Sequence, residues 1–187
     1  MGVDKPDAVA VEVVQLRSEE IDAQTRASLR KLLWAAFDGF TEDDWAHGFG
    51  GIHVVVLDGA RAVGHAAVVP RRIHFRGGVI DGGYVEGVAV DANHRGAGIG
   101  TAIMREVSQI VSDVYPLCLL STHAHEFYER IGWERWRGPS FVVAAGQWRR
   151  TVEEDGGIML LRRPDGLALR VDLQSEVAVD ERAGDDW

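Results

Sequence analysis

The spacing of apolar residues in the first half of the chain predicts a strand, two helices and a three-stranded meander. Residues 9–16 are rich in β-branched side chains and predict the first strand. Apolar residues then recur at helical spacing between positions 29 and 37, and Thr41 can cap a short second helix. The next three segments predict strands joined by glycine-containing turns, and they cover residues 52–57, 62–75 and 79–90.

The second half changes to a pattern that alternates strands and helices. Residues 98–115 carry one apolar stripe at helical period, and Pro116 ends it. The apolar segment 117–120 predicts a short strand that runs parallel to the strand before the helix, because a helix connects the two. A short helix is predicted at 125–131. The remaining segments are predicted as strands at 133–145, 157–163 and 167–173 and as a polar loop at 146–156.

This order predicts an α/β (α+β) fold with a mixed, mostly antiparallel sheet flanked by helices. The chain has 187 residues, which favours one domain at 9–187 after a loose tail at 1–8. Cys118 is the only cysteine, so no intrachain disulfide can form. The chain has neither an apolar run of about 18 residues nor a start that resembles a signal peptide. We therefore expect a cytoplasmic protein that does not span a membrane.

The charge balance changes the set of expected partners. The sequence has 29 acidic and 20 basic residues, for a net charge of -9. A nucleic-acid partner is disfavoured, because it needs a basic face. A cationic small molecule suits this charge. The alternative is that the excess acid only keeps the protein in solution.

The segment 87–101 carries the clearest chemical signal, a strand followed by a glycine loop and a helix. Gly96, Gly98 and Gly100 let a ligand approach the backbone, and free N–H groups at the helix start favour an anion. A nucleotide P-loop would need a lysine before Thr101, and a dinucleotide fingerprint would need a third glycine at that position. The pattern therefore indicates a different pyrophosphate cradle, or a turn that binds nothing.

The segment 95–100 resembles the Arg/Gln-x-x-Gly-x-Gly/Ala signature of the GCN5-related N-acetyltransferases (GNAT superfamily), and 124–128 with 132–133 resembles their second conserved block. The resemblance implies the GNAT acyltransferase fold and acetyl-coenzyme A (acetyl-CoA) as co-substrate. It implies that the loop holds the coenzyme pyrophosphate and that the preceding strand lends backbone groups to the pantetheine arm. The implied coenzyme contacts are Val88, Ala89, Val90, Arg95, Gly96, Ala97, Gly98, Ile99 and Gly100.

Residues 40–47, 83–90 and 182–187 resemble, more specifically, the mycobacterial aminoglycoside 2'-N-acetyltransferases. That resemblance implies direct acetyl transfer to the 2'-amine of an aminoglycoside, with antibiotic resistance as the result. Two alternatives stay open. One is an acetyltransferase for another polyamine or amino sugar, and the other is a non-catalytic acetyl-CoA sensor.

Glu86 and Tyr128 are the candidate catalytic residues. Amide formation from a thioester needs a neutral amine, so one proton must leave the amine and one must reach the departing thiolate. Glu86 stands as a lone carboxylate among valines, and burial is expected to make such a group a stronger base. Without the resemblance, Glu86 could be an outward-facing strand residue and Tyr128 a packing aromatic. The resemblance implies that Glu86 takes the amine proton through a water and that Tyr128 protonates the thiolate.

The resemblance also implies an acidic acceptor site, although each acid alone could be a solvated surface charge. Asp38 lies one position earlier than the corresponding family carboxylate, and the segment 121–128 is shorter than in the family. No metal is expected, because His123 and His125 lack a third ligand. Dimers are common in the superfamily, and Trp148 is a candidate contact for a homodimer. The implied acceptor contacts are Asp38, Asp44, Glu86, Gly87, Ser121, Glu153, Glu154, Asp185 and Trp187.

Overall fold

The helices cover both faces of a strongly curved sheet. The computed structural model of the chain describes residues 11–163 and 171–187. Each helix begins and ends close to the sequence-based expectation, and short 3-10 turns connect several elements. Four α-helices lie in the described residues: α1 (Ala23–Ala36), α2 (Glu42–His47), α3 (Ile99–Val114) and α4 (His125–Arg130).

Ten strands in the described residues form a single mixed sheet. They are β1 (Glu12–Arg17), β2 (Ile52–Asp58), β3 (Arg61–Phe75), β4 (Gly78–Val90), β5 (Leu117–Ser121), β6 (Glu134–Arg135), β7 (Ser140–Ala144), β8 (Gln147–Arg150), β9 (Ile158–Arg162) and β10 (Val177–Asp180). Eight of them follow the order β6-β9-β5-β4-β3-β10-β7-β8. The long β3 also pairs with β2, which in turn pairs with β1.

The sheet opens between β4 and β5. These strands are parallel, as expected from the intervening helix, but they pair only at Gly83 with Cys118 and at Tyr84 with Leu119. Beyond Tyr84, β4 continues to Val90 along β3 alone, while β5 continues beside β9. The described residues place no strand on the free edge of this part of β4. A gap therefore opens in the sheet, next to the segment that carries Glu86.

Alternate residues of the central strands bury two different faces. Val54 and Val56 of β2 belong to the cluster that packs against α3, and Val55 packs against α1 on the other face. All three side chains are fully buried. Because both faces are covered, β2 has a nearly continuous apolar run rather than an alternating one. The two helices thereby fix the position of β3 and β4 between them.

Three predictions for the C-terminal third were wrong or untestable. The segment 133–145 is not one strand, because a loop separates β6 from β7. The polar segment 146–156 is not a loop, since β8 pairs with β7 inside it. The predicted last strand at 167–173 falls mostly outside the described residues, and its described part is not a strand. The strand that the sequence analysis missed is β10, which lies between β3 and β7.

Candidate functional site

A β-bulge in β4 presents Glu86 and Gly87 at the sheet opening. The pairing of β3 with β4 shifts between Ala67, which faces Glu86, and His65, which faces Ala89. One extra residue is therefore accommodated in β4. Gly87 adopts a φ of +58°, a left-handed conformation that a β-branched residue would strongly resist. The bulge turns this part of β4 away from regular pairing, next to the gap beside β5.

Glu86 has a charged partner that the sequence analysis did not foresee. Arg182 Nη1 donates to Glu86 Oε1 at 2.5 Å, and the two side chains are 16% and 14% exposed. The expectation of a lone carboxylate is therefore wrong. The ion pair holds the carboxylate in one orientation beside the cleft. The Glu86 carboxylate is thus buried together with a positively charged partner, rather than alone.

The candidate acceptor site is an open cleft of about 260 Å³ beside this ion pair. It brings together six of the nine predicted acceptor residues, from three distant parts of the chain. Asp38, in the turn after α1, lines the cleft despite its offset position in the sequence. The cleft is lined by Phe37, Asp38, Gly39, Phe40, Asp44, His47, Glu86, Gly87, Arg182, Asp185 and Trp187.

The short helix α2 holds Asp44 at the cleft wall. Thr41 caps the helix by accepting from the Asp44 backbone N–H at 3.2 Å, and Asp44 Oδ2 accepts in return from the Thr41 backbone N–H at 2.8 Å. This reciprocal capping fixes the first turn of α2. His47 at the other end of α2 forms a 2.8 Å hydrogen bond with the Ala183 carbonyl. The helix is therefore fastened to the C-terminal segment.

The C-terminal segment 181–187 docks as a strap over the cleft. Arg71 Nη2 donates to the carbonyl oxygens of Asp180 and Asp186, at 2.7 and 2.8 Å. Arg149 Nη2 donates to Asp186 Oδ2 at 2.8 Å. Trp187 is 6% exposed and packs in the same apolar cluster as Tyr84. The terminal tryptophan is therefore buried rather than frayed.

The other three predicted acceptor residues lie outside the lining of the cleft. Ser121 Oγ donates to Glu154 Oε2 at 2.9 Å at the end of β5. Burial raises the pKa of Glu154, the Ser121 hydrogen bond opposes this effect, and the negative charge of Asp185 adds to it. Glu154 is thus electrostatically coupled to the strap. Glu153 is exposed.

The predicted coenzyme loop lies at the start of α3, and its geometry fits an anionic ligand. Gly96 and Gly98 have φ values of +79° and +81°, and a Cβ on either would meet no protein atom within 4 Å. Gly98 is the N-cap of α3, and no side chain caps the helix. Its first N–H groups thus remain free for phosphate oxygens. Residues 95–98 are exposed, and the Arg95 guanidinium lies nearby, with Nε 3.4 Å from the Val90 carbonyl.

Tyr128 lies on α4, which packs close to this loop. A Cβ on Gly100 would lie 3.6 Å from the Phe127 ring, so α4 touches the first turn of α3. Tyr128 is 5% exposed and makes edge contacts with Phe127 and Trp133. Burial raises the pKa of Tyr128 to about 12. The hydroxyl is thus protonated at neutral pH and can act as a proton donor.

The remaining expectations concern metals, the lone thiol and the membrane. The described residues contain no group of three or more side chains that could hold a metal ion. Cys118 is buried in the core of the sheet, and burial raises the pKa of its thiol well above the usual range. None of the helices in the described ranges is long and apolar enough to cross a membrane.

Sequence reasoning missed several residues that shape the site. Arg71 and Arg182 hold the strap and the Glu86 carboxylate, but surface arginines give no sequence signal that separates them from solvated charges. His53 and His65 lie beneath the bulge and line a narrow crevice that also reaches Glu86. A signal existed for these two, because each histidine is flanked on both sides by apolar residues or glycine within a strand.

Comparisons with known proteins identify the family of this chain. The family model for the acetyltransferase (GNAT) domain matches residues 24–136. A protein of Mycolicibacterium fortuitum named aminoglycoside 2'-N-acetyltransferase is 37% identical over 177 residues, which cover 92% of this chain and 90% of that protein. The chain therefore belongs to the GNAT acetyltransferase family, and it is an acetyl-CoA-dependent N-acetyltransferase.

Solved structures show the same fold at low identity. A GNAT family N-acetyltransferase from Escherichia coli in complex with CoA superposes with a TM-score of 0.67 and 18% identity, covering 97% of this chain and 98% of that one. A GNAT family acetyltransferase from Brucella melitensis in complex with acetyl-CoA gives a TM-score of 0.61 and 18% identity, with 94% and 98% covered. The sequence-based expectation of a GNAT fold and an acetyl-CoA co-substrate is confirmed.

Proposed function

We propose that this chain transfers the acetyl group of acetyl-CoA directly to the 2'-amine of an aminoglycoside. The observation that carries the proposal is the convergence of Asp38, Asp44, Glu86 and Asp185 on one cleft at the sheet opening. Several carboxylates around one open cleft suit a ligand with several ammonium groups. The 37% identity to a protein named for this activity supports the same assignment.

Acetyl-CoA supplies a thioester, whose acetyl carbon forms the new C–N bond as the C–S bond breaks and the thiolate leaves. The loop residues 95–100 would hold the pyrophosphate, and the free edge of β4 at Val88 and Val90 would lie along the pantetheine arm. This arrangement directs the thioester toward the sheet opening, where Glu86 lies.

Glu86 is the proposed base for the acceptor amine. Its Oε1 is engaged by Arg182, so Oε2 is the oxygen that would accept the amine proton through a water. Arg182 fixes the orientation of the carboxylate. The neutral amine that results is the nucleophile that amide formation requires.

Tyr128 is the proposed acid for the departing thiolate. Its hydroxyl keeps its proton at neutral pH because burial raises its pKa to about 12. The proton would pass to sulfur as the C–S bond breaks. The amine would thus lose one proton to Glu86 and the thiolate would gain one from Tyr128.

The decisive experiment compares acceptors that differ at the 2' position. Tobramycin carries a 2'-amine and kanamycin A a 2'-hydroxyl, and kanamycin B, with a 2'-amine, is the matched partner of kanamycin A. We expect acetylation of tobramycin and kanamycin B but not of kanamycin A, with the acetyl group located on the 2'-nitrogen by NMR. Equal turnover of kanamycin A would disprove the 2' assignment.

The same experiment separates the alternatives. Turnover of none of these drugs, together with acetylation of linear polyamines, would assign the cleft to another polycationic acceptor. Antibiotic resistance and a cytoplasmic location belong to the same proposal, and a chain without disulfides suits a reducing compartment. A homodimer is a separate proposal, and its candidate contact is Trp148, which is 40% exposed.

A further inference from the structure

Two buried histidines lie directly beneath the bulge that carries the proposed base. His53 on β2 is 1% exposed and His65 on β3 is 2% exposed. Both rings line the narrow crevice that reaches Glu86 and Gly87. No step of acetyl transfer described above uses either ring.

A continuous chain of hydrogen bonds connects the bulge to the start of β2. His65 Nδ1 lies 2.8 Å from the Gly87 carbonyl oxygen, and His65 Nε2 lies 3.0 Å from His53 Nδ1. His53 Nε2 lies 2.9 Å from Ser18 Oγ. Ser18 Oγ accepts from the backbone N–H groups of Gly50 and Gly51, at 2.9 and 3.2 Å, and it lies 3.3 Å from the Gly51 carbonyl oxygen, farther than from His53 Nε2. The chain thus ends at two backbone donors.

The direction of every bond follows from the first one. A carbonyl oxygen can only accept, so His65 Nδ1 must carry the hydrogen. In a neutral ring, His65 Nε2 then accepts from His53 Nδ1–H, and His53 Nε2 accepts from the Ser18 hydroxyl. Two neutral rings in this chain therefore have the same tautomer, with the hydrogen on Nδ1.

The surroundings keep the rings neutral. Burial lowers the pKa of His65 to about 4. Burial also lowers the pKa of His53, to about 3, and the charge that His65 would gain on protonation and the charge of Arg26 act in the same direction. A second proton on His65 would also require His53 to move its own hydrogen from Nδ1 to Nε2, because only one ring can donate at the 3.0 Å contact. The arrangement therefore persists across the neutral range.

The chain cannot act as a proton path, because it ends at the Gly87 carbonyl, which does not transfer protons. Its effect is geometric. A Cβ on Gly87 would lie 3.3 Å from His65 Nδ1, so ring and bulge are in close contact. The hydrogen bond from His65 fixes the Gly87–Val88 peptide, and so holds the bulge on the C-terminal side of Glu86.

We propose that His65, held in its Nδ1–H tautomer by His53 and Ser18, is a positioning residue that fixes the Glu86–Gly87 bulge and so aims the Glu86 carboxylate at the acceptor amine. This inference rests on the proposed function, because it requires Glu86 to be the base. It assigns a role in acetyl transfer to three residues that do not line the acceptor cleft.

The test compares a variant that keeps the donor with one that loses it. In His65→Asn the amide nitrogen can take the place of Nδ1, whereas His65→Leu fills a similar volume without a donor. We expect His65→Leu to lower kcat at least tenfold with the KM for acetyl-CoA unchanged, and His65→Asn to stay within threefold of the wild type. Val63→Ala, a buried residue of the same strand that packs toward α3, controls for lost packing. Equal losses in the Asn and Leu variants would overturn the proposal.

A double-mutant cycle with Glu86→Gln shows whether His65 acts through Glu86. In the Glu86→Gln background, His65→Leu should lower kcat less than threefold. If it lowers kcat by the full tenfold there, His65 acts independently of Glu86, and this inference fails while the base assignment stands. If Glu86→Gln alone leaves the rate unchanged, the proposed function loses its base, and the positioning role falls with it.

Ring nitrogen chemical shifts test the proposal in the unmodified protein, and they decide it if His65→Leu does not fold. At pH 7 we expect His53 and His65 to be neutral, each with its hydrogen on Nδ1. A His65 ring with its hydrogen on Nε2 alone would contradict the hydrogen bond to Gly87, and a ring protonated on both nitrogens would contradict the neutral chain. Either result would overturn the proposal.

Discussion

The coenzyme loop and the acceptor cleft are built in opposite ways. The loop is one contiguous segment, residues 95–100, at the start of a single helix, and its residues 95–98 are exposed. The cleft collects side chains from positions as far apart as 38, 86 and 185, and a buried ion pair lies inside it. The loop therefore depends on local backbone conformation, whereas the cleft depends on how three segments dock together.

Because of this difference, the binding of each substrate should depend on a different part of the molecule. The loop presents N–H groups that the helix itself leaves free, so it exists wherever α3 exists. The cleft needs Arg71, Arg149 and Arg182 to hold the C-terminal strap in place. Changes to the strap should therefore weaken binding of the acceptor and leave binding of the coenzyme unchanged, while changes to the loop should do the reverse.

The largest expected effect tests the base in the cleft. Glu86→Gln keeps the shape of the side chain and removes its ability to accept a proton. We expect kcat/KM for tobramycin to fall about 100-fold or more, within the usual range for general base catalysis. The dissociation constant of acetyl-CoA, measured by calorimetry, should not change. A rate within threefold of the wild type would exclude Glu86 as the base.

Tyr128→Phe tests the acid on the coenzyme side of the gap. Removing the hydroxyl should lower kcat by roughly tenfold or more, at the low end for general acid catalysis because a thiolate is already a good leaving group. The edge contacts with Phe127 and Trp133 remain, so thermal stability should be preserved. An unchanged kcat, with chemistry shown to be rate-limiting, would assign Tyr128 to packing alone.

Deletion of residues 185–187 tests the strap. It removes the buried Trp187, the Asp186 groups that bind Arg71 and Arg149, and the Asp185 carbonyl that accepts from Arg182 Nε at 2.6 Å. We expect the KM for tobramycin to rise roughly tenfold or more, because charge-assisted hydrogen bonds to the drug are lost. The released Arg182 should also lower kcat through Glu86. Acetyl-CoA binding should be normal, and a wild-type KM for tobramycin would show that the strap takes no part in binding.

Gly98→Asp tests the loop. The new carboxylate would occupy the space open to the pyrophosphate and repel it, so we expect acetyl-CoA to bind about tenfold more weakly, or about 1.4 kcal/mol. Gly77→Asp is the matched control, because Gly77 also has a positive φ and open space around it but lies in the β3–β4 turn. Equal effects of the two substitutions would mean that backbone strain, rather than a lost ligand contact, weakens binding.

The same difference explains what could be predicted from the sequence. The loop, the helix α3 and the parallel strand β5 follow from local patterns, because glycines, helical periodicity and a short apolar run each act within one segment. The Arg182–Glu86 pair joins residues 96 positions apart, and no local pattern records it. The strand β8 was missed because all four of its residues are exposed, so its sequence lacks an apolar face. The family resemblance supplied the acids of the cleft, but not the arginines that hold them.

The last effect concerns folding rather than catalysis, and it is a loss of stability in acid that originates beneath the cleft. The folded-state pKa values of His65 and His53, about 4 and about 3, lie below the ordinary value of 6.5. Below pH 6.5 the unfolded chain binds protons that the folded chain refuses, so stability is complete above that pH and falls as the pH drops toward 4 and then 3. For one ring, the loss of unfolding free energy between pH 7 and pH 5 is on the order of 2 kcal/mol.

Urea unfolding at these two pH values should show a smaller loss of unfolding free energy in His65→Asn than in the wild type. Val55→Ala, which removes buried apolar volume but no titrating group, should shift both values equally. Parallel losses in wild type and His65→Asn would mean that the ring is protonated in the folded protein, and that the neutral chain beneath the bulge does not exist.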